Sequence, residues 1–152
     1  MKKIITALVL LGIAGASFAQ QAMKPEDMIK LRKAGMGFQA WNMGKIKANI
    51  DGTFNKEQVI AAANVIAATA NSGIGALFAP GSEKDVGGQK TLVKMEFFQQ
   101  AAKVKEVSMN YVKEATELAR VAATGDMAAV KAQFGKTGET CKACHDDFKN
   151  KE

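Results

Sequence analysis

MAAVKAQFGKTGETCKACHDDF, residues 127–148, places Met127, Val130, Phe134, Thr137, Cys141, Cys144 and Phe148 at alternating steps of three and four. That spacing brings all seven onto one face of an α-helix. Asp126 stands before the run as a helix cap, and Gly125 before it ends the preceding segment. Working backward, the same spacing recurs in Phe97, Ala101, Val104, Ser108, Tyr111, Ala115, Leu118 and Ala122, which predicts a helix from near Lys90 to about Thr124. Val59, Ile60, Ala63, Ile66, Ala67 and Ala70 define another, opened by Asn55 with Gln58 three residues on and closed by Asn71-Ser72-Gly73. A first helix starts at Pro25, with Glu26 and Asp27 at the positive end of its dipole, and stops near Asp51-Gly52. Its seam reads Ile29, Arg32, Met36, Gln39, Met43, Ile46, Ile50.

No alternation of period two persists, so the fold class is all-α. Short links between the first and second helices and between the third and fourth make each pair antiparallel neighbours, and one antiparallel four-helix bundle is the economical solution. Residues 79–89 lack any period and form the longest loop.

Residues 1–19 stand outside this scheme. Lys2 and Lys3 lead a mostly apolar run from Ile4 to Gly15 that ends in Ser17-Phe18-Ala19, the pattern of a secretory signal peptide cleaved after Ala19. The run is shorter than the ~20 residues of a bilayer span, and polar Gln20-Gln21 follow at once. The domain is therefore 20–152, expected in the periplasm and without a membrane anchor. Loss of Lys2 and Lys3 lowers the formal charge from +6 to +4. The lysines are scattered, which is the character of a solvated helical surface and not of a nucleic-acid site.

Export would permit a disulfide, but Cys141 and Cys144 would close a very small loop inside a helix. Cys141-Lys142-Ala143-Cys144-His145 is C-x-x-C-H, the attachment motif of c-type haem. Cysteines at i and i+3 share a face from which both thiols can add to the vinyl groups of one haem, and the adjacent histidine reaches iron as axial ligand. The other chemistries fit less well. A thioredoxin-like dithiol follows a strand, and a zinc site needs more His or Cys than this chain contains, leaving only Asp146 or Asp147. A buried His beside two free thiols suits an exported protein badly.

With Lys-Pro-Glu-Asp at 24–27, Arg32 four residues before Met36, and Cys-Lys-Ala-Cys-His-Asp-Asp-Phe-Lys at 141–149, the chain resembles the class II c-type cytochromes, cytochrome c-prime and its low-spin relatives. The resemblance spans 20–152 and is most specific at the two ends. It implies one haem c, bound covalently through two thioethers inside a four-helix bundle that is often a homodimer. It also implies that Met36 lies over the distal face of the haem, either bound to iron or crowding the face without binding. By the residues alone, a methionine at a seam position is core packing.

Arg32 interrupts an apolar seam, and a buried cation requires a partner. The resemblance supplies a haem propionate, with Lys33 assisting; the alternative is an arginine snorkelling to solvent. Gln39 is a weaker pocket residue. Lys149, one turn after His145, matches a basic residue beside the proximal face, or serves the helix dipole. Gly135 and Gly138 suggest close approach of haem or backbone to the last helix, or a plain bend. Phe97, Tyr111, Phe134 and Phe148 read as core or as pocket walls, and Trp41 as core or a dimer contact. Pro80-Gly81-Ser82-Glu83 fits the family, but the tryptophan many members carry soon afterward is missing, with Leu92 in its approximate place.

Two functions follow. One is a low-spin electron carrier with Met36 as sixth ligand; the other is a haem protein that transfers one electron or binds NO or CO at a five-coordinate iron under a Met36 screen. Neither needs a catalytic acid, base or nucleophile, so the chain is not read as an enzyme. Its expected partners are a redox protein, a diatomic gas and a second copy of itself. Mass spectrometry of exported protein should find Gln20 at the amino terminus; retention of residues 1–19 in the membrane fraction would contradict the leader reading.

Overall fold

A computed structural model describes residues 23–151, so the leader expected at 1–19 lies outside the described residues. Five α-helices follow in order: α1 (Pro25–Asp51), α2 (Lys56–Ala70), α3 (Glu96–Gln99), α4 (Ala101–Thr124) and α5 (Met127–Phe148), with a 3-10 turn at Ile74–Leu77. The four long ones form the bundle. α1 packs on α2, α2 on α4 and α4 on α5, while α1 and α5 meet sparsely. Among the described residues, no helix is long and apolar enough to cross a membrane.

The sequence signals at helix ends act through identifiable bonds. Pro25 opens α1, and Asp126 accepts from the backbone N–H groups of Ala128 and Ala129 at the start of α5. Gly125 (φ 76°) closes α4 in the left-handed region, where a Cβ would also lie within 2.7 Å of the Lys56 side chain. Asn55 caps α2 by accepting from the Gln58 N–H at 2.8 Å. The Gln58 side chain does not reach back to the Asn55 N–H, as a reciprocal cap would require. Asn49, buried on α1, does so instead: its Oδ1 accepts from the Asn55 N–H at 2.7 Å, and its Nδ2 donates to Gln58 Oε1 and Lys45 O. One amide thus fastens the α1–α2 corner.

The apolar core occupies one half of the bundle. Ile46 of α1, Val59, Ala62, Ala63, Ile66 and Ala70 of α2, Ala115, Leu118, Val121 and Ala122 of α4 and Val130 of α5 form a single buried cluster, with Met43, Ile50, Tyr111 and Phe134 packed around it. In the other half, the seam of α4 predicted at Ala101, Val104 and Ser108 is not buried: Val104 is intermediate and the other two are exposed. The inward face of α1 is largely polar, through Arg32, Gln39, Asn42 and Asn49. Among the described residues no buried side-chain nitrogen or oxygen lacks a partner, as the cost of leaving one unpaired requires.

The third long helix begins later than the periodicity predicts. Residues 90–95 are not helical: Val93 bridges Lys149, Lys94 N–H donates to Phe148 O at 2.9 Å, and Asn150 N–H donates to Leu92 O at 2.7 Å. Long-range pairing to the end of α5 overrides local helix preference, α3 adds one turn, and Gln100 (φ −108°, ψ 55°) breaks it from α4. The loop before it is ordered. Val86 and Gln89 exchange backbone bonds across Gly87 (φ 56°) and Gly88 (φ 73°), a two-residue turn that needs both glycines. A Cβ on Gly87 would meet Glu26 Cβ at 2.8 Å, so the turn is pressed against the first turn of α1.

Asn49→Ala removes both halves of the corner bond and leaves the Asn55 N–H unmatched. The holoprotein should lose about 2 kcal/mol of unfolding free energy, read as a lower urea midpoint at unchanged helical content. An unshifted midpoint would contradict this role for Asn49.

Candidate haem-binding site

Cys141, Cys144 and His145 lie in the last two turns of α5, in the half of the bundle away from the apolar core. Both thiols are free and intermediate in burial, and burial pushes the pKa of each upward. The His145 imidazole is exposed, yet partial desolvation and then the Lys149 cation hold its pKa below the ordinary value, against a smaller upward pull from Asp146. The balance favours the neutral ring that a metal requires.

The end of α5 is held in place by the segment before α3. Lys94 Nζ donates to Asp146 O at 2.9 Å and to Asp147 O at 3.2 Å, while its own N–H takes Phe148 O. Those are the orphan carbonyls of a helix C-terminus, so a cation is well placed there. Lys103 adds an ion pair with Asp147 at 3.0 Å. Phe97 stacks on Phe78 (centroids 4.5 Å) and meets the buried Phe148 edge-on (5.5 Å). Lys149 is exposed and shares a groove with Lys94, His145, Asp146, Asn150 and Lys151.

Arg32 does not snorkel: it is only 3% exposed. Its four terminal N–H groups find four acceptors. Nη1 donates to Leu77 O (3.2 Å) and Ser82 Oγ (2.8 Å), and Nη2 donates to Ser82 O (2.7 Å) and Thr91 Oγ1 (2.6 Å). The guanidinium also lies 4.8 Å from the centre of the Phe78 ring. Every one of these oxygens is neutral, so the charge itself is unpaired by them, and desolvation lowers its pKa. Lys33 is exposed beside it and donates to Lys90 O at 3.3 Å.

Met36 is not part of a protein core: it is 38% exposed. Its sulfur accepts from Gln39 Nε2 at 3.5 Å, and Gln39 Oε1 accepts from the Tyr111 hydroxyl of α4. Burial, and then Cys141, push the Tyr111 pKa upward. Trp41 is 57% exposed and so is no core residue; it stacks with Phe38 and carries Lys45 over its ring. Close backbone packing does not explain Gly135 or Gly138, since a Cβ on either would meet nothing within 4 Å.

The residues fit a haem. Two thiols and an imidazole, at 141, 144 and 145, lie at one helix end, the apolar core stops short of that end, and the buried cation Arg32 has only neutral acceptors around it. A zinc site is poorly served, because no group of three or more His, Cys, Asp or Glu among the described residues is placed to hold a metal. Sequence reading gave no role to Ser82, Thr91, Phe78 or Lys94, whose contacts with Arg32, Phe97 and the end of α5 join residues distant in the chain. A buried serine in an aperiodic loop leaves no periodic signal.

Comparison with known proteins agrees with this geometry. The chain is 51% identical to a cytochrome c′ of Allochromatium vinosum, over 95% of its own length and 93% of that protein. The crystal structure of cytochrome c′ from Thermochromatium tepidum superposes with a TM-score of 0.83 at 50% identity, covering 85% of this chain and 98% of that one. A nitric oxide complex of a cytochrome c′ variant from Alcaligenes xylosoxidans superposes with a TM-score of 0.75 at 27% identity, covering 85% and 98%. The family described as Cytochrome C′ matches residues 27–149. Both the helix end that carries C-x-x-C-H and the bundle that frames it are thus those of a haem c protein, and the chain belongs to the cytochrome c′ family.

Proposed function

We propose that this is a periplasmic haem c protein whose five-coordinate iron transfers single electrons and binds a small diatomic gas, NO or CO. The observation that carries the reading is the pairing of one helix end, bearing Cys141, Cys144 and His145, with a facing α1 whose Met36 sulfur is already held by Gln39. When bound, haem c would supply an iron centre that takes up one electron and can bind a small ligand.

The chain's own residues divide the remaining work. Cys141 and Cys144 would hold the haem through two thioethers, and His145 would ligate its iron. Met36 would screen the opposite side sterically. Arg32, whose acceptors in the protein are all neutral, would supply the charge for a propionate, with Lys33 next to it, and Lys149 would lie near His145. The nitric oxide complex of the Alcaligenes xylosoxidans relative supports the choice of ligand. In this reading the protein acts as a carrier or binder. Cleavage after Ala19 would deliver residues 20–152 to the periplasm, and exposed Leu31, Phe38 and Trp41 on α1 offer the apolar surface for a homodimer.

Absorption and electron paramagnetic resonance spectra of the ferric and ferrous protein test the reading. High-spin, five-coordinate iron is expected, and a low-spin, Met-ligated wild type would make the protein an electron carrier with Met36 as sixth ligand. Met36→Ala should leave the resting spin state nearly unchanged and speed CO uptake by about tenfold, equivalent to about 1.4 kcal/mol of entry barrier. Conversion from low-spin to high-spin on this substitution would show a coordination bond and not a screen.

A further inference from the structure

Gln39 and Tyr111 are left over by the assignments above. Gln39 lies on the inward face of α1, 7% exposed, and its amide orientation follows from its neighbours. Gly35 O, 3.4 Å from Nε2, can only accept, so the group facing it is the N–H2; the carbonyl Oε1 then faces the Tyr111 hydroxyl, which donates to it. The second amide hydrogen points to Met36 Sδ at 3.5 Å. A chain of hydrogen bonds therefore runs from α4 through Gln39 to the thioether on α1.

We propose that Gln39, braced by Tyr111, is the positioning residue that keeps the Met36 sulfur off the haem iron. The inference rests on the reading of Met36 as a distal screen. A thioether is a weak acceptor and binds a metal through the same lone pairs that accept a hydrogen bond. Methionine has three rotatable bonds and adapts readily to its surroundings, so its chemistry at a haem depends on what holds the sulfur. The Gln39 N–H engages a lone pair of Sδ from one turn further along the same helix. Tyr111 fixes the amide from the opposite side, and its own hydroxyl is matched there, as a half-buried phenol requires. Screening and coordination by the same methionine are then separated by one amide.

The test compares the ferrous and ferric spin state and the CO affinity of wild type, Gln39→Leu, Tyr111→Phe, Met36→Leu and the double variant Gln39→Leu/Met36→Leu. Gln39→Leu should create a low-spin, six-coordinate fraction and weaken CO binding in proportion to it, because CO must compete with the freed sulfur. Tyr111→Phe should do the same to a smaller extent, and it keeps the question open to measurement should Gln39→Leu fold poorly. In the Met36→Leu background Gln39→Leu should leave the spin state high, since leucine offers no ligand. A high-spin wild type whose Gln39→Leu and Tyr111→Phe forms are also fully high-spin would overturn the inference alone. An identical spectral change with and without Met36 would reduce Gln39 to a structural role and overturn it too. A low-spin wild type would overturn the screening reading and this inference together.

Discussion

A guanidinium enters a protein interior only if acceptors come with it, and Arg32 takes four from one stretch of chain, Leu77 to Thr91. Those bonds decide the path of an otherwise aperiodic loop. With Thr91 held against α1, the next three residues reach the end of α5, where Leu92, Val93 and Lys94 pair with Phe148, Lys149 and Asn150. Lys94 then covers the last carbonyls of the helix that carries Cys141, Cys144 and His145. The position of the haem-binding motif relative to α1 is thus a consequence of satisfying one buried cation.

The same economy divides the bundle in two. Toward the α1–α2 corner, small alanines on α2 allow close approach of α1 and α4 around Ile46, Ile66 and Leu118, and dispersion and apolar burial suffice. Toward the motif, polar groups and aromatic rings replace that core: Arg32 against Phe78, Phe78 on Phe97, Phe97 on Phe148. An all-protein bundle would continue its apolar seam to both ends. Here α4 carries Val104 into a half where protein atoms cover it only partly, the arrangement expected when a large flat cofactor completes the interior.

Most of this was legible where the signal is local. Pro25, Asn55, Gly125 and Asp126 mark helix ends through bonds made within a few residues, and α1, α2 and α5 have the ends they indicate. The motif on α5 was legible because thiol and imidazole chemistry at that spacing has few other uses. The start of α4 was not, because the 90–95 segment obeys partners on α5 and not its own periodicity. The seam of α1 was legible only in part: Ile29, Arg32, Gln39 and Ile46 are buried as the spacing indicates, but Asn42 and Asn49 are buried as well and Met36 is not. Buried amides look like solvent-facing residues in a hydropathy pattern, and only the structure shows that they bond back to Phe38 O and Lys45 O and reach across to α2.

The central claim is that Cys141 and Cys144 hold one haem covalently at the end of α5. The mass of the purified, exported protein under fully denaturing, acidic conditions tests it most directly, because only covalent bonds survive there. A single species equal to the mature chain plus one haem is predicted, falling to the mass of the chain alone when both cysteines are replaced by alanine. A wild-type chain that releases its haem on denaturation, or that carries none, would contradict the account.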